Sequence, residues 1–504
     1  MTFLDNIQLA FVAALAVENL LYCLLGVTLG MVVGVLPGIG HLAAITMLMP
    51  MTFHVPPTAA LVMLAGIYYG AQYGGSIASI LLRLPGTAST AVTCLDGYPM
   101  ARQGRAGVAL FITTIASFIG GVLAIAVLIA LAPPLAEVAL TFASADYFAM
   151  MVLGLVATAT LCQGNPLMGA ASVVIGLILG LVGTDVNTGT MRFTFGIPQL
   201  FDGISLVALA MALFGLTEVI SSAGKKNDHA ARQDKITLRS LMPTRKDLRQ
   251  SIVPTLRGSA VGTAVGILPG AGGGSMASFM AYAFEKRVSR TPERFGHGAI
   301  EGVAAPESAN NATAQAAFIP TLTLGIPGDA VMALMLGALL IHGIQPGPRV
   351  ITENPELFWG LVGSFFIGNV LLLILNIPLI GIWVRILAIP YQYLFPAVVA
   401  FIGVGVYSIT YSYVDVLSVA VIGLAGYVMV LIGFEAAPIL LGYILGPMLE
   451  ENFRRSLLLS GGDLSVFVTR PVSAGLLGLS LVAIIWALVS ALRGRQKRPA
   501  EGTL

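Results

Sequence analysis

Two stretches of this chain carry backbone groups of the kind that hold anions. Residues 34–40 read Gly-Val-Leu-Pro-Gly-Ile-Gly and residues 266–272 read Gly-Ile-Leu-Pro-Gly-Ala-Gly. A helix broken at Pro-Gly restarts just beyond the break. Its first amide N–H groups then lack intrahelical partners, and its dipole is positive there. Glycine allows positive φ and close approach to a ligand. Gly38 and Gly40 in the first copy, and Gly270, Gly272, Gly273 and Ser275 in and after the second, are therefore candidates to cradle a carboxylate. Neither copy is followed by Lys-Ser or Lys-Thr, which excludes a nucleotide phosphate loop.

Polar side chains gather a second time between residues 306 and 329. Asn310, Asn311, Thr323 and Asp329 offer oxygen or amide groups beside a coupling ion, and Asn310 and Asn311 also suit a carboxylate. The competing reading is helix capping and turn formation. An Asp at membrane depth is costly, which favours a role for Asp329. In the first half, Ser76 and Thr87, with Ser89 and Thr90, are hydrogen-bonding candidates. Arg83 either forks onto a carboxylate or snorkels to the surface. Enzyme readings fare poorly. His297 and Glu301 are spaced i, i+4 without a zincin pattern, and no nucleophile elbow occurs.

These groups must be positioned inside a bilayer. Of 504 residues, 57% are hydrophobic and 10% charged, with a mean hydropathy of +0.90. Soluble domains carry about 25% charged residues. Residues 107–132, 200–220 and 474–492 are long apolar runs without alternation, each meeting the roughly 20 residues that span a membrane. Barrel strands would instead alternate over about 10 residues. The net charge of +2 is too small to imply nucleic acid as a partner. Cys23, Cys94 and Cys162 are far apart and read as core thiols. The N-terminus lacks a basic n-region, so Met1 onward is expected to be retained.

The glycine-proline element is an internal repeat. Residues 26–40 and 258–272 match in glycines and proline at a fixed offset of 258 − 26 = 232. Leu84-Pro85-Gly86-Thr87 likewise resembles Ile326-Pro327-Gly328-Asp329. The basic stretch 221–249 reads as a cytoplasmic loop. It separates a first membrane repeat, 1–220, from a second, 250–470, and 471–504 forms a last span with a basic tail. Arg257 and Lys286 flank the second element, which predicts a hairpin entering from the cytoplasm with arms of about 12 residues; two tilted full spans are the alternative. The first copy has no such flanks and is expected to open to the periplasm. Opposite openings predict two inverted repeats. Residues 183–203 read as a connecting loop, or as a gate or docking surface.

Residues 34–40, 69–90, 96–107, 183–203, 266–275 and 298–348 together resemble the TctA family, the large membrane subunit of tripartite tricarboxylate transporters. The stretches Ala305-Pro306-Glu307-Ser308-Ala309-Asn310-Asn311-Ala312 and Leu324-Gly325-Ile326-Pro327-Gly328 are the most specific, and the similarity covers about residues 5–490. The resemblance implies a multi-pass protein of the bacterial inner membrane with two partners, a TctB-like small membrane subunit and a TctC-like periplasmic solute-binding protein. It implies carboxylate uptake driven by an ion gradient, with no cofactor beyond a sodium ion or proton for coupling. The expected fold is an all-α polytopic membrane protein of two inverted repeats, each with a Pro-Gly re-entrant or broken-helix hairpin near the bilayer midplane. Elevator-like alternating access is expected, with a channel or passive pore for small anions as the alternative.

Overall fold

The computed structural model describes residues 3–36, 40–161, 165–185, 188–222, 240–270, 273–387 and 391–496. Helices dominate it. The first part holds α1 (Phe3–Leu15), α2 (Val17–Val35), α3 (Gly40–Thr52), α4 (Pro57–Leu82) and α5 (Thr93–Met100). It continues through α6 (Ala106–Ala139), α7 (Ser144–Thr160), α8 (Pro166–Gly180), α9 (Leu206–Ala210) and α10 (Thr217–Ser222). The second part opens with α11 (Arg245–Ile267), α12 (Gly273–Val288), α13 (Glu301–Ala316), α14 (Phe318–Leu324) and α15 (Ala330–Ile341). Then come α16 (Val350–Glu353), α17 (Pro355–Asn376), α18 (Ile380–Ile386), α19 (Tyr391–Thr410) and α20 (Tyr413–Leu431). The chain closes with α21 (Ala436–Leu459), α22 (Val466–Thr469) and α23 (Pro471–Gln496). Among the described residues, five helical stretches are long and apolar enough to cross a membrane. The protein is an all-α membrane protein.

The repeated glycines do the same job twice. A Cβ on Gly26, Gly30 or Gly34 of α2 would strike the backbone of Met63, Ile67 or Ala71 on α4. A Cβ on Gly258, Gly262 or Gly266 of α11 would strike the backbone of Ala305, Ala309 or Thr313 on α13. Both pairs advance four residues at a time in the same direction, so each glycine stripe packs a parallel helix at backbone contact. Each second helix then ends alike. Arg83 after α4 (φ 58°) and Gly325 after α14 (φ 70°) are both left-handed, and a Pro-Gly turn follows. Gly86 of one turn lies on Gly34, and Gly328 of the other on Gly266.

The two units meet through α4 and α13. Gln72 bonds Asn310 and Ser76 bonds Glu307. Moving forward along α4 thus moves backward along α13, and the two helices cross antiparallel. Long helices then reach across. α6 lays Gly120 on the backbone of Ser308 in α13. α17 lays Gly363 on Ala10 of α1 and Gly368 on the Tyr69 ring of α4.

Some expected boundaries differ. The run 200–220 is not one helix from its start. A turn occupies residues 201–204, Ser205 caps α9 at the Ala208 amide, and Met211–Leu216 winds as a π-helix before α10. The arms α11 and α12 run on beyond Arg257 and Lys286, to 23 and 16 residues in all. Thr244 and Asp247 form a capping box that starts α11 early. Arg257 pairs with Glu285 at 3.2 Å, tying the two arms together. Within residues 183–203, a short antiparallel pair joins Gly183–Thr184 to Met191–Arg192. Arg192 and Arg454 clasp it to α21 through Asp185 and Glu450. Cys23 and Cys94 are buried free thiols; Cys162 lies outside the described residues.

Candidate functional site

Four helices begin at one cavity of about 190 Å³. α3 brings His41 and Leu42, α12 brings Gly273, Gly274 and Ser275, and α15 brings Asp329, Ala330 and Val331. α21 adds Glu435, Ala437 and Pro438. α4 forms a wall with Tyr68 and Gln72, and α7 ends there at Thr158 and Leu161. The volume is below the roughly 300–1,000 Å³ of pockets for drug-sized ligands and suits a small metabolite. Among the described lining residues there is no Lys or Arg, and two carboxylates are present.

Local sequence explains each start. Gly40 opens α3 at φ 64°, and Gly273 opens α12 at φ 69°, conformations that suit glycine. A Cβ on Gly273 would lie 2.6 Å from Asp329 Oδ2. Asp329 caps α15, accepting from the Met332 amide at 2.8 Å. Its other oxygen accepts from the Tyr68 hydroxyl at 3.0 Å. The second Pro-Gly tip sits against α7: Gly270 (φ 71°) has no room for a Cβ between Gly154, Ala157 and Thr158. The N-terminus of α15 is taken by its own Asp329, and the other three are each worth about 0.3–2 kcal/mol to an anion, depending on exposure. At roughly 1 kcal/mol apiece, their sum of about 3 kcal/mol corresponds to holding in the range of several millimolar.

Behind the wall lies a polar seam. Gln72 Oε1 accepts from Ser89 at 2.6 Å, Thr87 at 3.1 Å and the Asn310 amide at 3.2 Å. Asn310 Oδ1 is buried, has no partner among the described residues, and faces Gly274. Farther along the seam, Ser76 donates to Glu307 at 2.6 Å, and Thr93 donates to its other oxygen.

The residues singled out in the sequence distribute as follows. Gly270, Gly273, Ser275 and Asp329 line the cavity, and Gly40 adjoins it through His41. Gly38 and Gly272 lie outside the described residues. Thr87 and Asn310 stand one bond behind the lining, through Gln72. Ser76 and Asn311 are not brought to the cavity: Ser76 serves Glu307, and Asn311 donates to Ser117 at 2.8 Å. Thr323 bonds back to Ile319 O of its own helix at 2.7 Å, so its hydroxyl is committed there. Arg83 is exposed and stacks over Tyr98, 5.9 Å from the ring centroid, and forms no fork at the cavity. His297 accepts a bond from Gln103 at its carbonyl, and Glu301 pairs with Arg294.

Sequence reasoning missed Tyr68, Glu435 and the first turn of α21, and it gave His41 no role. α21 follows a Gly-Phe-Glu turn at residues 433–435, a helix-start signal that has no counterpart in the glycine-proline repeat.

A family model described as the tripartite tricarboxylate transporter TctA family matches residues 20–441. The chain is 49% identical over 498 residues to an "uncharacterized 52.8 kDa protein in TAR-I ttuC' 3'region" of Agrobacterium vitis, covering 99% of both chains. It is 56% identical over 235 residues, 47% of this chain and 97% of the other, to an "uncharacterized protein in TAR-II ttuC' 3'region" of the same organism. No solved structure matches. On a match that spans most of its length, this chain belongs to the tripartite tricarboxylate transporter TctA family.

Proposed function

We propose that this chain is the substrate-conducting membrane subunit of a binding-protein-dependent secondary transporter that imports di- or tricarboxylates across the bacterial inner membrane. The observation that carries this is the meeting of four helix N-termini at one small cavity. Backbone N–H groups with a positive dipole hold carboxylates without a basic side chain. Asp329 among the lining residues works against an anion unless a cation enters too. A coupling ion, sodium or proton, therefore sits with the substrate at Asp329 and offsets the charge of that carboxylate.

Each repeat contributes a broken-helix hairpin, and the repeats are inverted. Three things support this: the parallel stripes α2 on α4 and α11 on α13, the antiparallel crossing of α4 and α13, and the tied arms of α11 and α12. Such a pair suits alternating access. The hairpins move together against the remaining helices in an elevator-like step. A TctB-like small subunit completes the membrane part, and a TctC-like periplasmic protein delivers the carboxylate.

The test is uptake of radiolabelled citrate, malate and tartrate by cells expressing this chain with its partner subunits. Gly270→Leu should abolish uptake with the protein still present in the membrane. Wild-type uptake in that variant would remove the cavity from the reading. Ion conductance without the binding protein would favour a pore instead.

A further inference from the structure

Glu307 is not among the residues that line the cavity. It is 1% exposed, near the middle of α13. Among the described residues it has no basic partner and accepts no backbone N–H. Its carboxylate oxygens take hydroxyl donors, Ser76 from α4 at 2.6 Å and Thr93 from α5. Asn311, one turn on, bonds Ser117 of α6, and its own Oδ1 is buried with no partner among the described residues. A lone ionised carboxylate at such a place is costly. Hydroxyls tolerate either charge state of it, because they donate to the anion and accept from the acid.

The titratable groups facing it are few. Tyr73 on α4 and Cys94 on α5 feel its charge. Arg83, at the end of α4, acts on Cys94 but stacks on Tyr98. α6 presents Ser117 there, while α11 and α12 present Gly258 and Ser278 to the same stretch of α13. The Glu285 carboxylate of α12 is paired with Arg257. Asp96 of α5 is turned to the amides of Gly296, Gly298 and Ala299.

We propose that Glu307 is a second cation site, apart from the cavity, that carries one proton through each transport cycle. This rests on the transporter reading above. The hydroxyls reach both carboxylate oxygens and can partner the group with or without its charge. A proton adds to one oxygen, removes the charge, and leaves as the same proton on the other side of the membrane. The placement matters because Glu307 and Ser76 lie at the crossing of the two repeats. Its charge state is therefore felt where one repeat must move against the other. From the cavity, Gln72 bonds Asn310, and Asn310 is three residues along α13 from Glu307.

The experiment uses the complete transporter in proteoliposomes, with citrate as probe, its binding protein present, and an external pH dye. In the wild type, citrate entry should alkalinise the medium. A membrane potential of 100 mV should add about 50-fold to accumulation for each charge that the proton contributes. Glu307→Gln, a fixed neutral form, should carry one proton fewer per citrate and lose that factor, yet keep exchange of internal for external citrate. Absence of proton movement in the wild type under every sodium condition overturns the proposal. So does an unchanged number of protons per citrate in Glu307→Gln. If that variant loses exchange as well, Ser76→Ala decides. Removing one donor to the ionised form should move the pH of half-maximal accumulation upward, and an unmoved profile overturns the proposal. A wild type that exchanges no carboxylate at all defeats the transporter reading itself.

Discussion

Adding one methyl group at Gly262 tests the repeat most directly. Its Cβ would run into the carbonyl oxygen of Ala309 on α13, with the carbonyl carbon at 2.7 Å, and no rotamer can relieve a clash with main chain. Overpacking of this kind costs about 1–3 kcal/mol, set against a helix-propensity gain of about 0.5–1 kcal/mol for Gly→Ala. Gly30→Ala makes the same intrusion on Ile67 in the other unit. Gly478→Ala, on α23, meets nothing within 4 Å and keeps the propensity gain alone. The packing term is therefore the gap between the first two variants and the third, about 1–3 kcal/mol each. The two losses should add within about 0.5 kcal/mol if the stripes are separate packing units. The assay is thermal unfolding of the detergent-solubilised protein, followed by size-exclusion fluorescence. Were Gly262→Ala to melt with Gly478→Ala, the stripe would not be a backbone contact, and the structural equivalence of the two units would fail with it.

Asp329→Asn keeps the cap on Met332 through its Oδ1 but removes the charge; uptake should persist weakly with an altered dependence on sodium or proton, and an unaltered dependence removes Asp329 from coupling. Asp96→Ala strips the amides of Gly296, Gly298 and Ala299 and the Tyr282 hydroxyl of their acceptor. Buried donors left unmade cost about 1–3 kcal/mol each, so the melting temperature should fall sharply; a neutral effect would mean water replaces the carboxylate. Asp247, at the start of α11, sits below its ordinary value: burial pushes it up, but the Thr244 hydroxyl and amide and then Arg105 pull it down further. Its stabilisation is present above about pH 4 and lost as pH falls through the lowered value. Asp247→Asn should lower stability at pH 7 and flatten the acid limb of the pH–stability curve below about pH 4, read by the same thermal assay.

The glycine stripes were legible because close helix approach demands glycine wherever it occurs, so spacing alone exposed the repeat. The partner helix was less legible. α4 and α13 stand at an offset of 305 − 63 = 242 rather than 232, and no residue type is forced there. Asp329 was readable as an acid in an apolar setting. Glu307 stands in the same motif, and the same reasoning applies to it. Thr323 shows the opposite failure. A hydroxyl in a sequence looks free, but in a buried helix its nearest acceptor is its own backbone carbonyl. Glu435 and Tyr68 could not be read at all, since their place depends on how α21 and α4 pack and not on local pattern.

The crossing of α6 onto the second unit and of α17 onto the first has a consequence for biogenesis. A ribosome that has released residues up to 222 has made only part of either embrace: α13 is missing as the seat for Gly120, and Gly363 and Gly368 are not there to cover α1 and Tyr69. The early product must wait in the lipid with its grooves open. A gene cut within the connecting segment should therefore yield two fragments that survive proteolysis only when made together.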